Sequence, residues 1–132
     1  MKESLSQINF WKKSAEENLE AALVLFKNKH YSSSLFFCHL ALEKIIKGLV
    51  VKTTKKPAPY IHDLAKLADL AKMPLTSGQV NDLRIITTFN IAGRYQEMKF
   101  SFYKSINKKY SKKYLDATNA LFIWLKKQYL KK

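Results

Sequence analysis

Apolar residues recur at three- and four-residue steps through most of this chain. Ile8, Trp11, Ala15, Leu19, Ala22 and Phe26 trace one stripe, which predicts an amphipathic helix over about 4–27. Ser4 and Gln7 have the spacing of a capping box at its start. Asn28-Lys29-His30 reads as a short turn. A second helix is expected over about 31–51, where Leu35, Phe36, Phe37, Leu40, Leu42, Ile45, Ile46, Leu49 and Val50 leave it apolar nearly all round. Such a helix belongs in the middle of a bundle. Residues 53–59 read as a linker, because Pro57 and Pro59 favour an extended path.

A short third helix is expected over about 61–72, with Leu64, Leu67 and Leu70 facing inward and Met73-Pro74 stopping it. Thr76 and Gln79 repeat the capping-box spacing. A fourth helix then runs through Val80, Leu83 and Ile86 to about residue 95, with Gly93 loosening its end. Residues 96–109 are polar and aromatic and are expected to be only partly ordered. A fifth helix over about 111–129 carries Tyr114, Thr118, Leu121 and Leu125 on one side. Amphipathic helices joined by short connections pack as antiparallel neighbours. The expected fold is therefore all-α, an up-down antiparallel bundle of four to five helices formed by one domain over 1–132.

Composition agrees with that pattern. Three Gly and three Pro are too few for the tight connections of an all-β chain, and 47% apolar residues suffice for a core in 132 residues. The single cysteine, Cys38, lies in an apolar run and is read as a small packing hydrophobe. No apolar run approaches the roughly 20 residues needed to cross a bilayer. No apolar signal core follows the first residues. The expectation is a cytoplasmic protein with no membrane role.

Charge changes the picture more. The chain carries 24 Lys and Arg against 10 Asp and Glu, a formal net charge of +14. From Lys99 onward there are ten lysines and one acid, Asp116. This charge reads either as a solvated helix face or as a surface for nucleic acid, nucleotide phosphate or an acidic partner. Lysine dominates over arginine, which suits phosphate attraction more than base reading. Lys108, Lys109, Lys112 and Lys113 form the densest cluster and are the candidate nucleic-acid surface.

Several chemistries are excluded by absence. The chain has no phosphate-cradling glycine loop, no dinucleotide fingerprint, no CxxC and no HxxxH. One Cys and three spaced His argue against a protein-only zinc site, so no metal and no cofactor is expected. Three features remain. His39, Glu43 and Lys47 stand at four-residue steps on one face of the second helix. They form either a salt-bridged edge or a polar seam that receives Arg or phosphate from across the bundle. His62-Asp63-Leu64, after the proline linker, reads as an Asp63 helix cap with His62 at a partly buried corner. Asn90 and Arg94 are one turn apart near the end of the fourth helix. Arg94 suits either the last carbonyls of that helix or a phosphate, which its fork pairs through two oxygens.

Taken together these segments resemble the HEPN domains, a family of small helical bundles associated with nucleotides and RNA. The resemblance rests on residues 15–34, on Ala41-Leu42-Glu43-Lys44 through Lys47 and Leu49, on His62-Asp63-Leu64 with Leu67, and on Phe89 through Arg94-Tyr95. It implies a homodimer, with the apolar fourth helix and Phe100, Phe102 and Tyr103 as candidate interface. Many family members resemble metal-independent ribonucleases that place an Arg, followed four to six residues later by a His, across the dimer interface. Others are non-catalytic and accompany small nucleotidyltransferases. Here Arg94 fills the Arg position, and residues 99–101 hold no His. No catalytic residue is therefore assigned. The reading is a non-catalytic binding module for nucleotide or RNA, with a nucleotidyltransferase-type partner protein. Arg94 and Asn90 contact phosphate or ribose, Tyr95 packs beside them, Glu43 orients Arg94, and Lys47 adds positive charge. The alternative is a HEPN-type ribonuclease, or the toxin component of a toxin-antitoxin pair.

Overall fold

The helix with the least polar sequence is the one the others surround. The computed structural model describes residues 2–92 and 106–131. It contains α1 (Lys2–Lys27), α2 (Tyr31–Thr54), α3 (Leu64–Leu70), α4 (Ser77–Ala92) and α5 (Lys108–Gln128), and no strand among the described residues. α2 packs against all four other helices. Leu35, Leu42, Ile45, Ile46 and Leu49 are fully buried in it, whereas Leu40 is half-buried.

Side-chain bonds fix how the helices run. α1 lies antiparallel to α2, since Ser34 Oγ donates to the Ala22 carbonyl at 2.7 Å and Lys44 Nζ to Ser14 Oγ at 2.8 Å. Residues 55–63 then return along α2, so that α3 and α4 pack on its other side. α5 runs parallel to α2. Tyr129 donates its hydroxyl to the Ile45 carbonyl at 2.6 Å, and Lys52 Nζ reaches the Gln128 carbonyl at 2.9 Å. Among the described residues the four long helices alternate in direction, as an up-down bundle requires.

Local chemistry sets the boundaries. Thr76 and Gln79 form the expected capping box, with Thr76 N–H on Gln79 Oε1 at 2.9 Å and Gln79 N–H on Thr76 Oγ1 at 3.1 Å. Ser4 does not act as a cap, because α1 is already helical at Lys2. α2 continues through Thr53 and Thr54, expected in the linker. Thr54 Oγ1 bonds back to the Val50 carbonyl and Thr53 Oγ1 reaches the Ala71 carbonyl, so both hydroxyls are satisfied within a helix. α3 begins only at Leu64, since Asp63 is its cap and accepts from Lys66 N–H at 3.2 Å. α5 starts at Lys108, three residues before the expected position, because Asn107 caps it by accepting from Tyr110 N–H at 2.8 Å. Gly93 and most of 96–109 lie outside the described residues.

Cys38 is buried, and burial, only partly offset by the Thr118 hydroxyl, pushes its thiol up to about 12. Such a thiol is a packing group. Gly48 has a sharper role. A Cβ at this position would fall on the Tyr129 hydroxyl and crowd Trp11, so the bare glycine is what lets α1 and the end of α5 close on α2. Gly48→Ala is expected to destabilise the fold by about 1–3 kcal/mol, although alanine favours a helix by about 1 kcal/mol. Urea denaturation reads this directly. In a Tyr129→Ala background most of the penalty should disappear, because the clash and the lost hydrogen bond share one partner.

Candidate functional site

His39, Glu43 and Lys47 stand one turn apart on α2, and all three face inward, with exposures of 0%, 6% and 6%. The stripe is therefore buried and salt-bridged within itself. Burying charge is unfavourable unless each group finds a partner. Glu43 is the hub that supplies them. Its Oε2 accepts from Lys47 Nζ at 2.9 Å and its Oε1 pairs with His62 Nδ1 at 2.9 Å. Burial alone would raise the Glu43 carboxyl, but the bonds from His62 and Lys47 outweigh it and hold the group below its ordinary value. The Lys47 ammonium also sits 5.6 Å from the centre of the Trp11 ring, which ties α1 to the hub.

His39 completes the cluster. Its Nε2 lies 3.0 Å from the His62 carbonyl and 3.7 Å from Glu43 Oε1. A carbonyl only accepts, so Nε2 carries the proton and Nδ1 is left as an acceptor. That Nδ1 is buried without a hydrogen-bond partner among the described residues. Burial, stronger than the opposing contacts to the His62 carbonyl and Glu43, holds His39 below its ordinary value.

His62 is thus gripped twice, by its ring and by its carbonyl, while its side chain remains 40% exposed. The next residues anchor it further. Asp63 caps α3, and Leu64 N–H bonds Thr87 Oγ1 on α4 at 3.1 Å. Thr87 brings α4 to the level of the hub, and Asn90 follows one turn later, buried at 4% exposure. Phe89 meets Tyr114 and Tyr110 edge-on, with ring centres 5.6 and 6.2 Å apart, so the end of α4 sits beside the start of α5. Arg94 and Tyr95 lie outside the described residues, as do Phe100, Phe102 and Tyr103.

Of the residues singled out in sequence, Glu43 and Lys47 come together, with Asn90 near their level on α4. Lys47 is bonded to Glu43 and does not present its charge to solvent. Lys108, Lys109, Lys112 and Lys113 are exposed on the first turns of α5. Lys112 pairs with Asp116 at 3.0 Å, and Lys113 lies over the Tyr114 ring at 5.4 Å. The pairing of His62 with Glu43 was not legible in sequence. Its only signal was an acid on an apolar helix that needed partners beyond its own stripe. Among the described residues no group of His, Cys, Asp or Glu could hold a metal ion, and no helix is long and apolar enough to cross a membrane.

The described helices thus surround a central one whose buried carboxylate grips the His-Asp-Leu turn that is bonded in turn to α4. The HEPN domain family model matches residues 8–128, and the chain belongs to that family of nucleotide- and RNA-related helical modules. The crystal structure of TT1696 from Thermus thermophilus is similar in fold, with a TM-score of 0.75 and 18% sequence identity over 92% of this chain and 97% of that one. No curated protein matches the chain.

Proposed function

We propose that this chain is a non-catalytic nucleotide- or RNA-binding module that pairs as a homodimer and works beside a small nucleotidyltransferase-type protein. One observation carries the reading. The buried Glu43 hub fixes the His62–Leu64 turn on α4 one turn before Asn90, which ties Asn90 and the hub to one level of the bundle. Arg94 follows Asn90 by four residues. Asn90 and Arg94 contact phosphate or ribose, and Tyr95 packs beside them. Glu43 supports Arg94 from α2. Lys47 acts through Glu43, whose carboxylate it holds in place. The exposed lysines of α5 attract the phosphate backbone.

Titration of a single-stranded oligoribonucleotide at several salt concentrations tests this. Arg94→Ala should weaken binding at every salt concentration. Replacing Lys108, Lys109, Lys112 and Lys113 with Ala should flatten the dependence of log K on log salt, by about 0.7 for each phosphate contact removed. Equal binding by wild type and Arg94→Ala would remove Arg94 from the site. An unchanged slope would remove the lysine cluster.

A second reading, a ribonuclease, is favoured by His62, a half-exposed imidazole oriented by a carboxylate at the level of α4. An imidazole can move protons near neutral pH, which Arg94 cannot. Metal-independent RNA cleavage by wild type that is lost in both His62→Ala and Arg94→Ala would establish it over the binder.

A further inference from the structure

Two surface grooves flank the turn between α3 and α4, and their charges differ. One, of about 470 Å³, is lined by Asp63, Asp69, Lys66 and Arg84 and is balanced. The other, of about 380 Å³, opens where α2, α5 and the α3–α4 turn meet, at the far end of the bundle from Asn90. Lys52, Lys55, Lys72 and Lys131 line it with no acidic residue among the described residues, over a floor that includes Leu49, Met73 and Pro74.

Backbone geometry places these charges. α2 ends at Lys55 with φ 61°, and Lys72 follows α3 with φ 58°. Both are left-handed positions that glycine fills with least strain. Lys29 takes the same conformation beyond α1, so the backbone alone assigns nothing. What singles out Lys55 and Lys72 is that both line one groove. Lys52 donates to the Gln128 and Lys131 carbonyls, which answers the negative end of α5 that would otherwise face an incoming anion. Burial, and then the charge of Lys55, make the Lys52 ammonium less stable than usual, and a bound anion would relieve that crowding.

We propose that this groove is an anion site that takes a short polyphosphate chain, with its phosphate oxygens shared among Lys55, Lys72 and Lys131. Three flexible ammonium groups around a compact apolar floor suit several linked phosphates better than one planar carboxylate. The site lies away from Asn90 and stands or falls independently of the reading above.

Isothermal titration of the full chain with inorganic tripolyphosphate tests it. Wild type should bind one equivalent. The double variant Lys55→Gly, Lys72→Gly removes two charges while suiting the left-handed backbone, and should bind about tenfold more weakly or worse. Asn also tolerates that conformation, so Lys55→Asn, Lys72→Asn should show the same loss if the glycine pair folds poorly. Lys13→Ala, Lys27→Ala removes two exposed charges from α1 and should bind like wild type. The proposal is overturned by absence of binding to wild type, by undiminished binding in the groove variants, or by an equal loss in the α1 variant.

Discussion

Replacing Glu43 with Ala is expected to destabilise the protein by about 3–5 kcal/mol, because it leaves the buried Lys47 ammonium without its counter-charge. His62 loses its ring partner in the same step, and α3 loses one of its anchors to α2. The effect should be read by urea denaturation. A second substitution separates charge from packing. Lys47→Met in the Glu43→Ala background should recover much of the loss, since removing both members of a buried pair is far milder than removing one. If the double variant were no more stable than Glu43→Ala, the pairing would not be the source of the effect.

Acid should attack the same hub in two stages. Glu43 is held below its ordinary 4.5, so its contribution is complete above that value and is lost as pH falls through the lower folded value. His39 is held below its ordinary 6.5. From about that pH downward the unfolded chain takes up a proton that the folded one refuses, and stability falls. Thermal midpoints should therefore begin to drop below about pH 6.5 and fall more steeply below about pH 4.5. His39→Gln should weaken the first limb and leave the second.

The other large effect lies in the core. Leu42 is fully buried on α2, and Leu42→Ala is expected to destabilise by about 2–5 kcal/mol through lost burial and the cavity left behind. Against a typical total of about 5–15 kcal/mol this is a large share. Leu40 stands on the same helix but is half-buried, and Leu40→Ala should lose less than half as much. Equal midpoints for the two variants would show that α2 is not the centre of the bundle.

Periodicity made the helices and the centrality of α2 legible, because burial leaves few polar positions on a helix surrounded by others. Thr76 and Gln79 were legible for a similar reason, since their reciprocal bonds are local. Where a local signal competed with packing, the reading failed. Ser4 resembles a cap, yet α1 extends past it. Thr53 and Thr54 resemble linker, yet their hydroxyls are satisfied in the last turn of α2. The four-residue spacing revealed the polar stripe but not its direction, because α2 is apolar on nearly every side. The bond from Glu43 to His62 spans 19 residues and depends on the return of 55–63 along α2, which no local pattern encodes. Arg94 was singled out first by its spacing from Asn90 and its fork and again by resemblance, with Tyr95 beside it, and both lie outside the described residues.

The parallel docking of α5 on α2 also matters during synthesis. Ile45 waits for Tyr129, 84 residues later, before its carbonyl receives that hydroxyl and the gap over Gly48 closes. At about 5–20 residues per second, the interval is roughly 4–17 s. Through it, α1 and then α3 and α4 can cover their sides of α2, while the side that receives α5 stays open. The nascent polypeptide thus leaves the ribosome with the α5-facing side of its central helix still unwrapped, which is the period when a chaperone, or a neighbouring nascent chain, has access to it.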